Sequence, residues 1–160
     1  MNTQTRDRSP IKATDFSAKT GDRTMTESLN IIGSGHDGTA LGLLFRRGGW
    51  RINDVLARSA DSATRAVACL GAGRATTDLA TLTPADITVI STPDDAIAAM
   101  AARLAEDLPD HPGALWVHCS GATSAEILAP LRARGGTVAS LHPLKTFTDP
   151  QADAESFDVT

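Results

Sequence analysis

The stretch Leu29-Asn30-Ile31-Ile32-Gly33-Ser34-Gly35-His36-Asp37-Gly38 decides the fold of this 160-residue chain. A short, mostly apolar run typical of a buried strand leads into the pattern G-x-G-x-x-G, and helical spacing follows. Gly33 permits a tight turn, Gly35 lets a ligand approach the backbone, and Gly38 allows a helix to pack closely on the strand. The first amides of that helix favour an anion. The order of strand, loop and helix predicts a site for the pyrophosphate of a dinucleotide, with Ser34 in its loop.

Short apolar runs alternate with helical spacing along the rest of the chain, which is typical of βαβ units. Strands are predicted at 29–32, 52–57, 87–91, 115–119 and 138–141, with a short one near 75–77. Helical faces are predicted at 40–45, 97–108 and 123–134, the last disturbed by Pro130. The pattern predicts an α/β fold over 29–160, with a doubly wound, mostly parallel sheet. Residues 1–28 have no apolar period and are interpreted as a flexible tail, with Met25 as an alternative start.

The composition excludes several classes of protein. Hydrophobic residues make up 41% and charged residues 21% of the chain, as in ordinary globular domains. Nineteen acidic and fifteen basic side chains give a formal net charge of -4, which disfavours nucleic acid and anionic membranes as partners. Neither a signal peptide nor a membrane span is recognisable. Cys69 and Cys119 lack the spacing of a metal or redox pair, so the sequence predicts reduced thiols, no metal site and a cytoplasmic location.

The carboxyl ends of the second and fourth strands provide further candidates, because ligands of doubly wound sheets bind there. An acidic residue after the second strand would read the ribose of NAD. Arg58 and Ser59 stand there instead, with Arg65 further along, which favours NADP over NAD. The alternative is that Arg58 is a solvated surface arginine. Thr92 and Pro93 should line the cofactor cleft, or else belong to a turn whose aspartate caps a helix.

The last two strands end in side chains that could handle a substrate. His118 and Ser120 share one side of their strand, while Cys119 faces the other and lacks a partner base. His142 brings a second imidazole to the same rim, and Lys145 could hold an acidic substrate or a phosphate. A histidine could pass a proton to a carbonyl during hydride transfer. His118, Ser120 and His142 are therefore the catalytic candidates, and the alternative for each histidine is a structural role at a strand end.

Four segments together resemble the N-terminal domain of a family of NADP-dependent oxidoreductases whose C-terminal half is a helical domain of unknown function. They are 29–35, 117–122, 128–135 and 140–144, of which Val117-His118-Cys119-Ser120-Gly121-Ala122 and Ser140-Leu141-His142-Pro143-Leu144 are the most specific. The family is similar to pyrroline-5-carboxylate reductase, deazaflavin-dependent NADP reductase and the 6-phosphogluconate dehydrogenase group. The resemblance implies a Rossmann-like fold and NADP as cofactor, with Thr92, His118, Ser120 and Gly121 on the nicotinamide side.

Family members continue into a helical domain that closes the cleft, whereas this sequence ends at Thr160. The expected function is NADP binding by an oxidoreductase of the β-hydroxyacid dehydrogenase or imine reductase type, with an unknown small-molecule substrate. Efficient turnover is expected only where a homodimer or a separate helical partner chain completes the site. One alternative is a non-catalytic nucleotide-binding or interaction module, either a truncated remnant or a sensor. A methyltransferase using S-adenosylmethionine is the other, which Gly38 and Arg58 disfavour.

Overall fold

The computed structural model describes residues 27–142 and 148–156, which build an α/β fold around one six-stranded sheet. The strands are β1 Ser28–Ile32, β2 Arg51–Leu56, β3 Arg74–Thr76, β4 Ile87–Ile90, β5 Leu115–His118 and β6 Thr137–Ser140. They lie in the order β3-β2-β1-β4-β5-β6, and every pairing is parallel. Successive strands diverge to opposite sides of the β1–β4 pair, so a crevice opens at the carboxyl ends of these two strands.

Helices cover both faces of the sheet. They are α1 His36–Arg47, α2 Ala60–Leu70, α3 Ile97–Asp107, α4 Ala129–Ala133 and α5 Pro150–Glu155, with 3-10 turns at Leu79–Thr81, Asp94–Ala96 and Ala125–Leu128. Helices α1 and α2 pack on one face, α3 and α4 on the other, and α5 lies against α1. Within the described ranges, no helix has the length and apolarity that crossing a bilayer requires.

Two apolar cores form because neighbouring side chains of a strand point to opposite faces of the sheet. Ile31 and Val89 belong to the core under α1 and α2, whereas Ile32 and Ile90, the next residues in each strand, belong to the core under α3 and α4. All four of these side chains are buried. The central strands are thus apolar throughout, as parallel strands covered on both faces should be.

A buried carboxylate fixes the connection from β3 to β4. Asp54, whose side chain is 1% exposed, accepts hydrogen bonds from Arg74 Nε at 2.7 Å and from the Thr83 amide at 2.6 Å. Burial alone would raise the pKa of Asp54, but the hydrogen bonds from Arg74 and Thr83 outweigh it and hold that pKa below its ordinary value. The Asn30 side chain donates to the Thr83 carbonyl at 2.6 Å. These hydrogen bonds fix the position of Thr83 in the segment that leads into β4.

The predicted doubly wound parallel sheet is confirmed, and each predicted strand lies within a residue or so of an observed one. The first strand starts one residue before the predicted domain boundary, because Ser28 pairs with Arg51 of β2, whose amide donates to the Glu27 carbonyl at 2.9 Å. In the predicted third helix, a 3-10 turn precedes α4, whose first turn accommodates Pro130. Helices α2 and α5 were not predicted. Residues 1–26 of the predicted tail lie outside the described residues.

Candidate functional site

The first glycine of the loop makes the turn that joins β1 to α1. Gly33 has φ +102°, in the left-handed region that favours glycine. Its amide donates to the Leu56 carbonyl of β2 at 2.9 Å. A Cβ at this position would lie 2.4 Å from the carbonyl oxygen of Ser91, at the end of β4. Any side chain here would therefore force β1 and β4 apart at the crevice.

The other two glycines differ in their surroundings. A Cβ on Gly38 would lie 2.5 Å from the Gly33 carbonyl oxygen and 3.0 Å from Ser91 Cβ, so the start of α1 is packed tightly on the turn and on β4. A Cβ on Gly35 would meet no described atom within 4 Å. The backbone of Gly35 is extended, with φ -71° and ψ -178°, a conformation that any residue adopts. The fold requires glycine at 33 and 38, whereas at 35 glycine leaves open space beside the start of α1.

The start of α1 offers backbone donors to that space. Gly35 is the N-cap of α1, and among the described residues no side chain caps this end of the helix. The first amides of a helix have no intrahelical partner, and the helix dipole adds partial positive charge there. Asp37 is exposed in this first turn. The predicted anion site is thus formed by main-chain groups, while Asp37 is the nearby acid that an anion would have to avoid.

Cys119 lies behind the loop rather than in the open space. It packs at the edge of the core under α1 and α2 and is hydrogen-bonded to the Ser91 side chain. Burial, together with the nearby charge of Asp37, raises the pKa of Cys119 to about 12. At neutral pH the thiol stays protonated, so it is a poor nucleophile.

The end of β2 presents an arginine to solvent. Arg58 is exposed and makes no hydrogen bond or ion pair with any described residue. Ser59 has a structural task as the N-cap of α2, where its Oγ accepts a hydrogen bond from the Ser62 amide at 3.2 Å. The charge of Arg58 is therefore available to a ligand, while the hydroxyl of Ser59 is already in use.

A cleft of about 190 Å³ lies between α1 and α2, beside the glycine loop. It is lined by Ser34, Thr39, Ser62, Arg65, Ala66, Cys69 and Pro150. The Arg65 guanidinium donates to Ser62 Oγ at 3.3 Å. The structure thus brings Arg65 and Ser34 of the loop together at one cleft.

Thr92 carries a polar atom without a partner. Its Oγ1 is buried and has no hydrogen-bond partner in the described part of the chain. The Thr92 amide lies beside the glycine turn, 3.1 Å from where a Cβ on Gly33 would be. Leaving a buried hydroxyl unpaired is unfavourable, so this atom is suited to a ligand or water in the crevice. Pro93 is exposed next to it. The alternative of a capping aspartate is not observed, since Pro93 and Ala96 occupy the N-cap positions of the 3-10 turn and of α3.

The loop after β5 encloses two of the catalytic candidates. His118 is completely buried, with Nδ1 3.1 Å from the Ser120 amide and Nε2 3.2 Å from the Ser124 carbonyl. Ser120 is also buried, and its Oγ accepts from the Ala122 amide at 3.2 Å and donates to Thr123 Oγ1 at 3.3 Å. Both side chains therefore bind their own loop, and their catalytic use stays a prediction.

The third catalytic candidate lies in the open. His142 is exposed, and its ring rests on Gly121, where a Cβ would lie 2.4 Å from both Cε1 and Nδ1. Strand pairing sets this contact, because the Leu141 amide donates to the His118 carbonyl at 2.8 Å. Lys145 lies outside the described residues. The accessible imidazole of His142 thus lies at the carboxyl end of the sheet. It can pack on Gly121 only because glycine has no side chain.

Sequence reasoning missed Ser91 and Ser62. Ser91 contacts the glycine loop and Cys119, and Ser62 lines the cleft beside Arg65. A polar residue directly after an apolar strand was the available signal for Ser91, whereas nothing in the sequence marks Ser62. Across the described ranges, no group of three or more histidine, cysteine, aspartate or glutamate residues is placed to hold a metal ion.

The comparisons with known proteins agree on the fold. A family model described as a Rossmann-like domain matches residues 13–143. A provisionally named NADP oxidoreductase from Bacteroides fragilis is 26% identical, with a TM-score of 0.66 over 78% of this chain and 46% of that one. An imine reductase variant from Myxococcus stipitatus in complex with NAD+ is 24% identical, with a TM-score of 0.61 over 79% and 43%. Synechocystis arogenate dehydrogenase is 22% identical, with a TM-score of 0.62 over 76% and 42%.

The last two of these similarities show the fold alone, because their identities are low. The chain spans less than half the length of each of these three proteins. No curated protein sequence matches the chain.

Proposed function

This chain belongs to the Rossmann-like domain family, and on that basis we propose that it binds NADP as the dinucleotide-binding part of an oxidoreductase. The observation that carries the proposal is the contrast among the three loop glycines. Gly33 and Gly38 are required by the fold, whereas Gly35 only keeps the space at the start of α1 open. A loop of this construction is suited to a pyrophosphate held by main-chain amides. The similarity to an NADP oxidoreductase of Bacteroides fragilis supports the assignment.

The preference for NADP over NAD rests on charge. Arg58 follows β2 without an ion-pair partner among the described residues, and Arg65 lines the cleft beside the loop. No acidic residue occupies 57–59, where an acid would bind the ribose hydroxyls of NAD. A guanidinium forms strong, charge-assisted hydrogen bonds with a phosphate. We therefore assign binding of the 2′-phosphate to Arg58, with Arg65 as a second positive charge. Ser59 caps the start of α2.

The cofactor would supply hydride-transfer chemistry, giving up a hydride as NADPH or accepting one as NADP+, and the chain would position its nicotinamide. We place the nicotinamide beside the unpaired Thr92 Oγ1, Pro93 and the loop that contains Ser120 and Gly121, since these residues follow the carboxyl ends of β4 and β5. His142 presents the accessible imidazole at this rim and is the group we assign to proton transfer with the substrate. The reaction class is that of a β-hydroxyacid dehydrogenase or an imine reductase acting on a small molecule.

The proposal also includes a second chain that covers the substrate and a location in the cell. A second copy of this chain or a separate helical chain would cover the substrate, since near-attack geometry needs a second wall. Cys69 and Cys119 are free thiols, which fits a reducing, cytoplasmic location.

A second candidate function is a non-catalytic NADP-binding module. The observation that favours it is that His118 and Ser120, two of the three catalytic candidates, are buried and bound to their own loop. Cofactor binding is common to both candidates. Oxidation of NADPH with imines or keto acids, measured with a His142→Asn control, separates them: turnover that the variant loses favours the enzyme over the module.

Calorimetric titration with NADP and with NAD tests the cofactor assignment. We expect NADP to bind at least about ten-fold more tightly, because an arginine–phosphate contact contributes about 1.5–3 kcal/mol. The Arg58→Ala variant should lose this preference. The Arg103→Ala variant, which removes an exposed arginine of α3 on the other face of the sheet, is the matched control and should keep it. Equal affinities of the wild-type chain for the two dinucleotides would contradict the assignment.

A further inference from the structure

The bonding of His118 allows only one form of its ring. The Ser120 amide donates to Nδ1, so this nitrogen carries no proton. The Ser124 carbonyl can only accept, so Nε2, 3.2 Å away, carries the proton and donates it. We infer that His118 is a positioning residue, locked as the neutral Nε2–H tautomer, which sets the shape of the 119–124 loop. This inference rests on the proposed function, because that loop borders the proposed nicotinamide side.

The loop depends on the imidazole as an internal support. His118 is bonded to both sides of the loop, at Ser120 and at Ser124. Two further bonds, from the Ala122 amide to Ser120 Oγ and from Ser120 Oγ to Thr123 Oγ1, complete the network. On the outside, the His142 ring rests on Gly121. The buried imidazole therefore determines where Gly121 lies and, through it, where the exposed imidazole is held.

The same bonds prevent His118 from acting as the proton carrier. A proton on Nδ1 would point at the Ser120 N–H, so two donors would face each other at a buried contact. Giving up the Nε2 proton would leave that nitrogen facing the oxygen of Ser124, an acceptor against an acceptor. Either change leaves buried polar groups unpaired, which is unfavourable. The two histidines thus have different roles. His118 positions the loop, whereas His142 is exposed and can reach a substrate.

Nitrogen NMR of the wild-type chain tests the tautomer directly. Long-range correlation spectra of 15N-labelled protein should show His118 with a protonated Nε2 and an unprotonated Nδ1, and a coupling across the hydrogen bond from the Ser120 amide to Nδ1. The exposed His36 and His142 are internal references, since a solvated imidazole exchanges between tautomers. The His118→Asn spectrum assigns the signals. A protonated Nδ1, or an exchange average like that of the references, would overturn the inference.

Two variants test the positioning role through NADPH affinity measured by calorimetry. His118→Leu removes both bonds and should weaken NADPH binding about three- to ten-fold, as expected for the loss of hydrogen bonds that shape a site. His118→Asn keeps an acceptor for the Ser120 amide and should recover much of the affinity. A folded His118→Leu variant with wild-type affinity would overturn the inference alone. A wild-type chain that does not bind NADPH would instead contradict the proposed function, and the tautomer measurement, which needs no cofactor, would still decide the state of His118.

Discussion

Replacing Gly35 by valine should abolish dinucleotide binding and leave the fold intact. The new Cβ meets no described atom within 4 Å, and the extended backbone at φ -71° and ψ -178° suits a β-branched residue. Valine is a poorer N-cap than glycine, which costs up to about 1 kcal/mol. For a domain of this size, that cost lowers Tm by only about 2–4 °C.

The loss of binding should be far larger than the loss of stability. The valine side chain would fill the space in which a pyrophosphate meets the first amides of α1. Hydrogen bonds to charged groups contribute about 1.5–3 kcal/mol each, so losing two of them removes about 3–6 kcal/mol. That corresponds to a Kd about 10²- to 10⁴-fold weaker.

The assay combines NADPH calorimetry with thermal unfolding, and Gly38→Val is the control. At Gly38 a Cβ would lie 2.5 Å from the Gly33 carbonyl oxygen, so this variant should lose stability as well as binding. Gly35→Val should instead unfold near the wild-type temperature. A folded Gly35→Val protein with wild-type affinity for NADPH would refute the assignment of the loop as the phosphate site.

Three further predictions concern the groups around the crevice and the sheet. Asp54→Asn should destabilise the fold by about 1–3 kcal/mol at neutral pH. Because the folded pKa of Asp54 is lowered, its contribution is present above its ordinary value of 3.8 and is lost as the pH falls through the folded pKa, so denaturation curves of the variant should depend less on pH there. Gly121→Ala should displace the His142 ring, seen as a shift of its NMR signals, and unchanged His142 signals would contradict the contact. Cys119, with its pKa raised to about 12, should react with iodoacetamide at pH 7 mainly after unfolding, and fast labelling of Cys119 in the folded chain, located by peptide mapping, would contradict its raised pKa.

The sheet could be predicted because its strands are short apolar runs bounded by turn residues. Helix α2 could not, because its buried face consists of Ala63, Ala66 and Leu70, and small residues produce little apolar periodicity. Helix α5 has only six residues. The contact of Asp54 with Arg74 joins two strands, and no local pattern shows such a pair.

Part of the candidate site could likewise be predicted from the sequence, and part of it could not. The loop glycines could be located from sequence spacing, but the tight packing at Gly38 and the open space at Gly35 depend on where β4 ends. Strand alternation placed His118 and Ser120 on one side, yet it carries no information on burial. The chain turns back on itself after β5, and that turn encloses both side chains. Their bonding to the loop therefore became visible only in three dimensions.

Binding of NADP by the glycine loop at the start of α1 can be observed residue by residue. Titration of the 15N-labelled chain with NADPH, followed through assigned backbone amide signals, tests it most directly. We expect saturable shifts concentrated at residues 33–38, at Thr92 and at Arg58, with the amides of α3 and α4 unaffected. No shifts at millimolar NADPH, or shifts confined to residues away from the carboxyl ends of β1 and β4, would contradict it.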